Sequence, residues 1–182
     1  MRFFKRLVVK STGFDRAQGI LDATISRLQI LVGVGSGSIP EDSGEVVLAK
    51  LLRNKYKKVG KPLCIFDVGA NQGQFLGMMV PRLVDVPVKY FAFEPNKSAV
   101  DMLQQQYQAE ESIEIIPYGL GSDPGEHDLF YDREASDLAS IVKRDLNYLG
   151  IQFEYSEKIW VDTIDAYCRV NKIEYIDLIK LD

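Results

Sequence analysis

The sequence predicts an α/β fold in which a mainly parallel sheet is flanked by helices. From residue 63 onward, short apolar runs alternate with stretches of helical periodicity, which is typical of strand–helix–strand units. The run LCIFDVG (63–69) is apolar, as expected for a parallel strand covered on both faces. The 182 residues also suffice for one domain with a sizeable core.

The first sixty residues are expected to form a helical region ahead of the sheet. Apolar residues recur at helical spacing over 15–31, and a second helix with a basic end is expected over 43–57. The segment GVGSGSIPEDSG between them has the glycine, serine and proline content of a loop. We therefore divide the chain into an N-terminal helical region, 1–60, and a core, 61–182.

The core contains a regular series of predicted elements. Strands are expected over 63–69, 89–95, 113–120, 125–132, 157–163 and 175–182. Helices are expected over 72–84, 97–109 and 163–171. Asn96 and Asp162 are predicted to open the last two helices. Pro117 should interrupt the pairing of the third strand, and residues 133–150 are polar without a clear pattern.

Charge and cysteine content argue against several classes of protein. A net charge of −4 is unlike the basic balance of most nucleic-acid-binding proteins. Cys64 and Cys168 are too few for a disulfide framework or a zinc site, so we expect a reduced, cytoplasmic setting with Cys64 in the core. No apolar stretch reaches the ~18 residues of a transmembrane helix, and no signal peptide is expected.

A glycine-rich turn, VGANQG (68–73), follows the first predicted strand. Gly69, Asn71 and Gly73 alternate along it, and both residue types tolerate left-handed backbone while leaving room for a ligand to approach. Ligands of doubly wound sheets bind beyond the carboxyl ends of the strands, where this turn would lie. Gln74 stands where a dinucleotide fingerprint needs a small residue, and no GK[ST] follows, so neither an NAD site nor a P-loop is favoured.

Three acids are predicted to end three strands at the same rim of the sheet. Asp67 precedes the turn, Glu94 follows the second strand, and Asp182 closes the last strand. An acid after the second strand is well placed to accept hydrogen bonds from the hydroxyls of a ribose. The three acids together predict a cup for a nucleoside that carries positive charge, a description that S-adenosylmethionine fits.

The segments FDVGANQGQF, FAFEPN, GLGSDPGEHDLFYD, WVDTIDAY and YIDLIKLD occur in this order and resemble the FkbM-type S-adenosylmethionine-dependent methyltransferases over residues 63–182. The resemblance implies a Rossmann-like class I methyltransferase fold. It implies methyl transfer, usually to a hydroxyl oxygen of a sugar or natural product, with S-adenosylmethionine as cofactor. The acceptor would be a small molecule or a glycan.

The resemblance also implies which residues hold the cofactor. The amino-acid end of the cofactor is expected to contact Gly69, Ala70, Asn71 and Gly73, and the ribose is expected to contact Glu94. Pro95 and Asn96 would flank the adenosine. Leu120, Gly121 and Ser122 would border the adenine. Asp182 would lie near the methionine moiety and the reacting methyl group.

This sequence departs from the family pattern at its last residue. In the family the final segment continues as Asp-Val-Glu-Gly, with a helix and three more strands, whereas here the sequence stops at Asp182. We therefore expect a core without its C-terminal strands, whose fourth strand is an exposed edge. A non-catalytic module that pairs through this edge, for example as a homodimer, is one alternative. An NAD-linked oxidoreductase is another.

A hydroxyl acceptor needs a base to take its proton. Asp182 is the expected catalytic residue and His127 a second candidate, although a solvated loop position is the favoured explanation of His127. Nearby acids could bind a metal, but a solvated acidic loop is favoured: Asp123, Glu126, Asp128 and Asp132. The segment ASDLASI (135–141) falls where the family often has a serine-rich stretch near the substrate.

Several aromatic side chains could either line an acceptor site or belong to the core. They are Tyr131, Tyr148, Phe153, Tyr155 and Trp160. For Trp160 we expect a core position.

Overall fold

The computed structural model describes residues 24–25, 44–57, 59–136, 138–142 and 152–181. The chain divides into two units, residues 1–50 and 51–182, and both sheets lie in the second. Helix α1, Gly44–Tyr56, confirms the second predicted helix. Apart from the helical residues 24–25, the helix predicted over 15–31 and the loop after it lie outside the described residues. The boundary predicted after residue 60 stays a prediction.

The strands of the described residues follow the predicted series closely. In chain order they are β1 Leu63–Val68, β2 Val88–Phe93, β3 Ile113–Ile116, β4 Gly119–Leu120, β5 Gly125–Tyr131, β6 Tyr155–Asp162 and β7 Leu178–Leu181. The remaining helices are α2 Gln74–Met79, which continues as a 3₁₀ turn over Val80–Arg82, α3 Lys97–Tyr107 and α4 Ile164–Val170.

The main sheet contains four parallel strands in the order β3-β2-β1-β7. All six residues of β1 are buried, as its apolar sequence predicts for a strand covered on both faces. The chain moves outward from β1 through β2 to β3 and then returns to the other side of β1 as β7. The strand order therefore reverses beside β1, as in a doubly wound sheet, which confirms the predicted Rossmann-like α/β fold class.

A second sheet has the order β4-β6-β5, in which β5 and β6 are antiparallel. The single strand predicted over 113–120 is therefore two strands in two sheets, separated at Pro117, which has no N–H to donate. Ile159 and Val161 of β6 are buried, so Trp160 between them faces the other way and is 56% exposed. The core position expected for Trp160 was wrong, because alternation along the strand places it outside.

The last helix begins one residue later than predicted. Thr163 caps α4, since its side chain accepts the backbone N–H of Ala166 at 3.1 Å. Asp162, the predicted opener, is instead the last residue of β6, and its carboxylate accepts the N–H of Thr163 at 2.7 Å. The prediction of Asn96 as the cap of α3 is confirmed, because it accepts the N–H of Ala99.

An aromatic cluster covers one face of the main sheet. Phe66, Phe91 and Phe93 of the strands pack around Tyr167 of α4, whose ring lies 4.8 Å from that of Phe93 and nearly perpendicular to it. Cys64 belongs to the same cluster, which confirms its predicted core position. None of the helices in the described part of the chain combines the length and apolar content that a membrane crossing requires.

Candidate functional site

The turn after β1 has left-handed backbone at three alternate residues. Gly69, Asn71 and Gly73 have φ values of 77°, 47° and 81°. The N–H groups of Gly69 and Ala70 both donate to the carbonyl of Phe93, at 3.0 Å each, which attaches the turn to the end of β2. Because β1 lies where the strand order reverses, the turn occupies the position at which doubly wound sheets bind ligands.

Packing gives Gly73 a reason to lack a side chain in addition to the predicted ones. A Cβ atom there would lie 2.8 Å from Cδ2 of Leu103 and 3.0 Å from the ring of Tyr107, both in α3. The hydroxyl of Tyr107 also donates to the carbonyl of Gly73 at 3.3 Å. Gly73 therefore allows α3 to pack against the turn, and its predicted contact with a cofactor stays a prediction.

Glu94, directly after β2, connects the turn after β1 to the loop after β2. It is only 6% exposed. One carboxylate oxygen accepts the N–H of Asn71 at 2.7 Å, and the other accepts the N–H of Asn96 at 2.8 Å. Burial raises the pKa of Glu94, and the two hydrogen bonds partly oppose that rise. Each oxygen keeps a second lone pair, so the carboxylate can accept further hydrogen bonds.

Asp67 lies beneath the turn and is fully buried. Its Oδ1 is 3.3 Å from Nζ of Lys180, the residue aligned with it on β7. Whether Asp67 contributes to cofactor binding stays a prediction, since the structure shows it as half of an ion pair. The sequence analysis missed Lys180, although a lysine inside the apolar strand of DLIKLD was a visible signal.

Pro95 and Asn96 belong to the loop after β2, and β4 begins beside that loop. A Cβ atom on Gly119 would lie 3.6 Å from Cγ of Pro95, so the start of β4 is next to that loop. Leu120 ends β4, and the exposed residues Gly121 and Ser122 come next, with the N–H of Gly121 donating to the carbonyl of Asp162 at 2.9 Å. Asp182, the predicted catalytic residue, lies outside the described residues.

The segment after β5 is hydrogen-bonded to the turn after β1 and to the first turn of α3. Nε2 of Gln72 donates to the carbonyl of Ala135 at 3.0 Å, and the N–H of Ala135 donates to Oγ of Ser98 at 3.0 Å. Ser98 donates in turn to the side chain of Asn96 at 2.7 Å. Ala135 has a φ of 46°, which is unusual for a residue other than glycine. The start of the ASDLASI segment is thus near the rim, while its role towards a substrate stays a prediction.

Glu157 of β6 is a further acid at the site, and it was not among the predicted site residues. It accepts a hydrogen bond from Nδ2 of Asn96 at 2.5 Å. Its charge also contributes to the raised pKa of Glu94. Nothing in the sequence pairs a residue of β6 with the loop after β2, because their contact depends on how the second sheet packs.

One buried atom of the turn provides a test of whether the site suits S-adenosylmethionine. Oδ1 of Asn71 is buried and has no hydrogen-bond partner within the described part of the chain. A buried polar atom of this kind costs free energy unless a donor reaches it. The amino group of the cofactor is such a donor, and the Glu94 carboxylate suits ribose hydroxyls. The residues present therefore fit this cofactor.

The remaining candidates are separate from this site. His127 lies in β5 rather than in the predicted loop, and its Nε2 donates to the carbonyl of Asp123 at 2.8 Å. Glu126 and Asp128 lie 3.5 Å and 3.1 Å from Nζ of Lys158. Among the described residues, no three acidic, histidine or cysteine side chains are grouped as a metal site would require.

The aromatic side chains for which an acceptor site and a core position were both open occupy different environments. Tyr131 and Tyr155 face each other across β5 and β6 with stacked rings 5.7 Å apart. Phe153 is buried, and Tyr148 lies outside the described residues.

A cleft of about 340 Å³ lies at the opposite end of the main sheet, and Lys89, Glu114 and Tyr175 are among the residues that line it. These residues surround the amino ends of the strands. Doubly wound sheets bind ligands at the carboxyl ends, so the turn after β1 is the stronger candidate.

Comparison with known proteins finds distant likenesses among solved structures. An FkbM methyltransferase from Methylobacillus flagellatus KT is 14% identical and matches over 94% of this chain and 43% of its own length, with a TM-score of 0.40. The CMeT domain of the citrinin polyketide synthase is 20% identical over 58% of this chain and 27% of its own, with a TM-score of 0.37. The plantazolicin methyltransferase BpumL, solved in complex with SAH, is 16% identical over 64% of this chain and 40% of its own, with a TM-score of 0.32.

This chain spans less than half the length of each of these structures. No protein-family model matches the sequence, and neither does any curated protein. The TM-scores are low, so the fold class rests on the strand order and not on these likenesses.

Proposed function

We propose that this chain is the S-adenosylmethionine-binding core of a methyltransferase. The observation that carries the proposal is the position of Glu94. It lies after β2, is buried, and holds the backbone of both the turn after β1 and the loop after β2 through two hydrogen bonds. An acid fixed in this way beside a left-handed turn, where the strand order reverses, suits a nucleoside ligand.

Each group of the site would have a separate part in binding. The Glu94 carboxylate would accept hydrogen bonds from the ribose hydroxyls, and Oδ1 of Asn71 would accept one from the amino group of the cofactor. Pro95 and the segment from Leu120 to Ser122 would flank the adenosine. When bound, S-adenosylmethionine supplies a methyl group activated by its sulfonium charge.

The acceptor belongs to the proposal as a hydroxyl group of a sugar or natural product. This part is supported by the sequence resemblance, as is Asp182 as the general base, whereas a cytoplasmic location is supported by the cysteine content. A bound acceptor must place its oxygen in line with the methyl group, and orientation alone can supply a large share of the rate enhancement.

Titration calorimetry with S-adenosylhomocysteine tests the proposal. We expect the wild-type chain to bind it, and Glu94→Gln to weaken binding by about 10- to 100-fold, the range expected for losing hydrogen bonds to a charged group. Glu114→Gln is the matched control, since Glu114 is an exposed strand acid in the cleft at the other end of the sheet. It should bind as the wild type does.

The folded state of each variant is checked by its thermal unfolding, because Glu94 also holds two loops together. A folded wild-type chain that fails to bind S-adenosylhomocysteine would contradict the proposal. NAD⁺ serves as the second probe, and binding of NAD⁺ alone would favour the oxidoreductase alternative.

A further inference from the structure

Lys180 provides a charge at the base of the candidate site. It lies on β7 and is aligned with Asp67 of β1 in the parallel register. Its Nζ is 3.3 Å from Oδ1 of Asp67 and 3.4 Å from the carbonyl oxygen of Gly69, the first left-handed residue of the turn. Lys180 therefore contacts both Asp67, near the end of β1, and Gly69, at the start of the turn.

The ion pair is almost fully removed from water. The side chain of Lys180 is 17% exposed and that of Asp67 is 0% exposed. Two charges lose much of their hydration in such a place, and apolar side chains of similar size often stabilise a fold equally well or better. Stability alone therefore does not account for this pair.

The surroundings of Lys180 connect it to the ligand-binding side of the sheet. Its Nζ lies 6.0 Å from the ring centre of Phe75, in the helix that the turn leads into. The charge of Lys180 also opposes the effect of burial on the pKa of Glu94. The Lys180 cation thus contacts the turn after β1 and interacts electrostatically with Glu94, the acid after β2.

We propose that Lys180 is a positioning residue of the cofactor site, which holds the Asp67 carboxylate and the Gly69 carbonyl and thereby fixes the geometry of the turn. The proposal rests on the function proposed above, because it concerns the same site. Lys180 acts through the backbone of the turn and not by touching the reacting methyl group.

Three variants test this role. They are the single variant Lys180→Met, the double variant that combines Asp67→Asn with Lys180→Met, and the control variant Lys158→Met. Affinity for S-adenosylhomocysteine and the unfolding temperature are measured for each. The single variant leaves the Asp67 charge buried, so we expect both a lower unfolding temperature and binding weakened by about tenfold or more. Lys158 is an exposed lysine of β6, and its variant should match the wild type in both measurements.

The double variant separates positioning from stability. Removing both charges should restore most of the unfolding temperature, while the affinity stays low because Lys180 no longer holds the Gly69 carbonyl. If the double variant is stable and binds as tightly as the wild type, the inference is overturned. If Lys180→Met does not fold, the affinity and unfolding temperature of the double variant are compared directly with those of the wild type, and the same outcome overturns the inference.

Lys180→Arg supplies a further readout that does not depend on removing charge. It should recover part of the affinity that Lys180→Met loses, since a cation is restored; no recovery in a folded variant would contradict the role. A wild-type chain that fails to bind would overturn the proposed function together with this inference, whereas tight binding by the double variant overturns the inference alone.

Discussion

At the scale of single residues, Gly73 carries two separate constraints. Its φ of 81° is unfavourable for any residue with a Cβ atom, and the space for that atom is filled by Leu103 and Tyr107. Gly60 carries only the first constraint, since its φ is 69° and a Cβ atom added there would have no neighbour within 4 Å among the described residues.

We therefore expect Gly73→Ala to destabilise the chain more than Gly60→Ala does. The backbone strain costs about 1–2 kcal/mol at either position, and the steric conflict should add about 1–3 kcal/mol at Gly73 alone. Urea unfolding of both variants measures the difference. Equal losses would show that α3 moves away without cost, contrary to its close packing on the turn.

Cys64 should be chemically inert while the chain is folded. Burial raises the pKa of its thiol to about 11, so very little thiolate exists near neutral pH. In a Cys168→Ser background, reaction with a thiol reagent at about pH 8 should be at least about a hundredfold slower in the folded chain than in denaturant. Similar rates in both states would mean that the aromatic cluster around Cys64 opens easily.

The single residues that the sequence could not predict depend on neighbours that are distant along the chain. Glu94 and Asn96 were found because a strand end and a helix cap are local features. Lys180 and Glu157 were missed as site residues because each contacts the site from another strand. Trp160 was misplaced because composition suggests burial for tryptophan, whereas alternation along β6 puts it outside.

At the scale of elements, the last turn of α1, which lies in the second unit, is connected to the rest of that unit through Asp85, in the segment before β2. The Asp85 carboxylate accepts two hydrogen bonds from Arg53, at 2.7 Å and 2.8 Å, and lies 2.7 Å from Nζ of Lys57. These cations hold the pKa of Asp85 well below its usual range.

The sign of this shift predicts how stability depends on pH. A pKa that is lower in the folded state means that Asp85 stabilises the fold above its unfolded pKa of about 4, and that the contribution is lost as the pH falls below that value. Asp85→Asn should therefore lower the unfolding temperature at neutral pH and make little difference in strong acid. Asp101→Asn, at an exposed position of α3, is the control and should show a much smaller effect at neutral pH. A loss that is independent of pH would contradict this account.

Elements were predictable where their signals are local. Apolar runs gave the strands of the main sheet, and Asn96 gave the start of α3 within a residue. The break at Pro117 was foreseen, but the transfer of Gly119–Leu120 to another sheet was not, because a proline indicates where pairing stops and not which strand the next residues pair with. The start of α4 was misplaced because Asp162 and Thr163 are both good caps, and pairing of Asp162 with Leu120 decides between them.

At the scale of the whole molecule, the parallel sheet positions the site. The order β3-β2-β1-β7 places the turn after β1 beside the point of reversal, and Glu94 follows the adjacent strand. Alternation of strands and helices was enough to predict a parallel sheet from the sequence, whereas the strand order comes from the structure. The separate sheet of β4, β5 and β6 was not foreseen, since extended segments do not reveal which partner strands they choose.

The central claim is that a nucleoside cofactor binds at the carboxyl rim of this sheet. Hydrogen–deuterium exchange of the full chain, with and without S-adenosylhomocysteine, tests it most directly because the method locates the ligand. We predict slower exchange over residues 69–73 and 94–98 when the ligand is present, and unchanged exchange in the cleft at the amino ends, over residues 171–175. Slowing confined to that cleft, or no slowing at the rim at saturating ligand, would contradict the account.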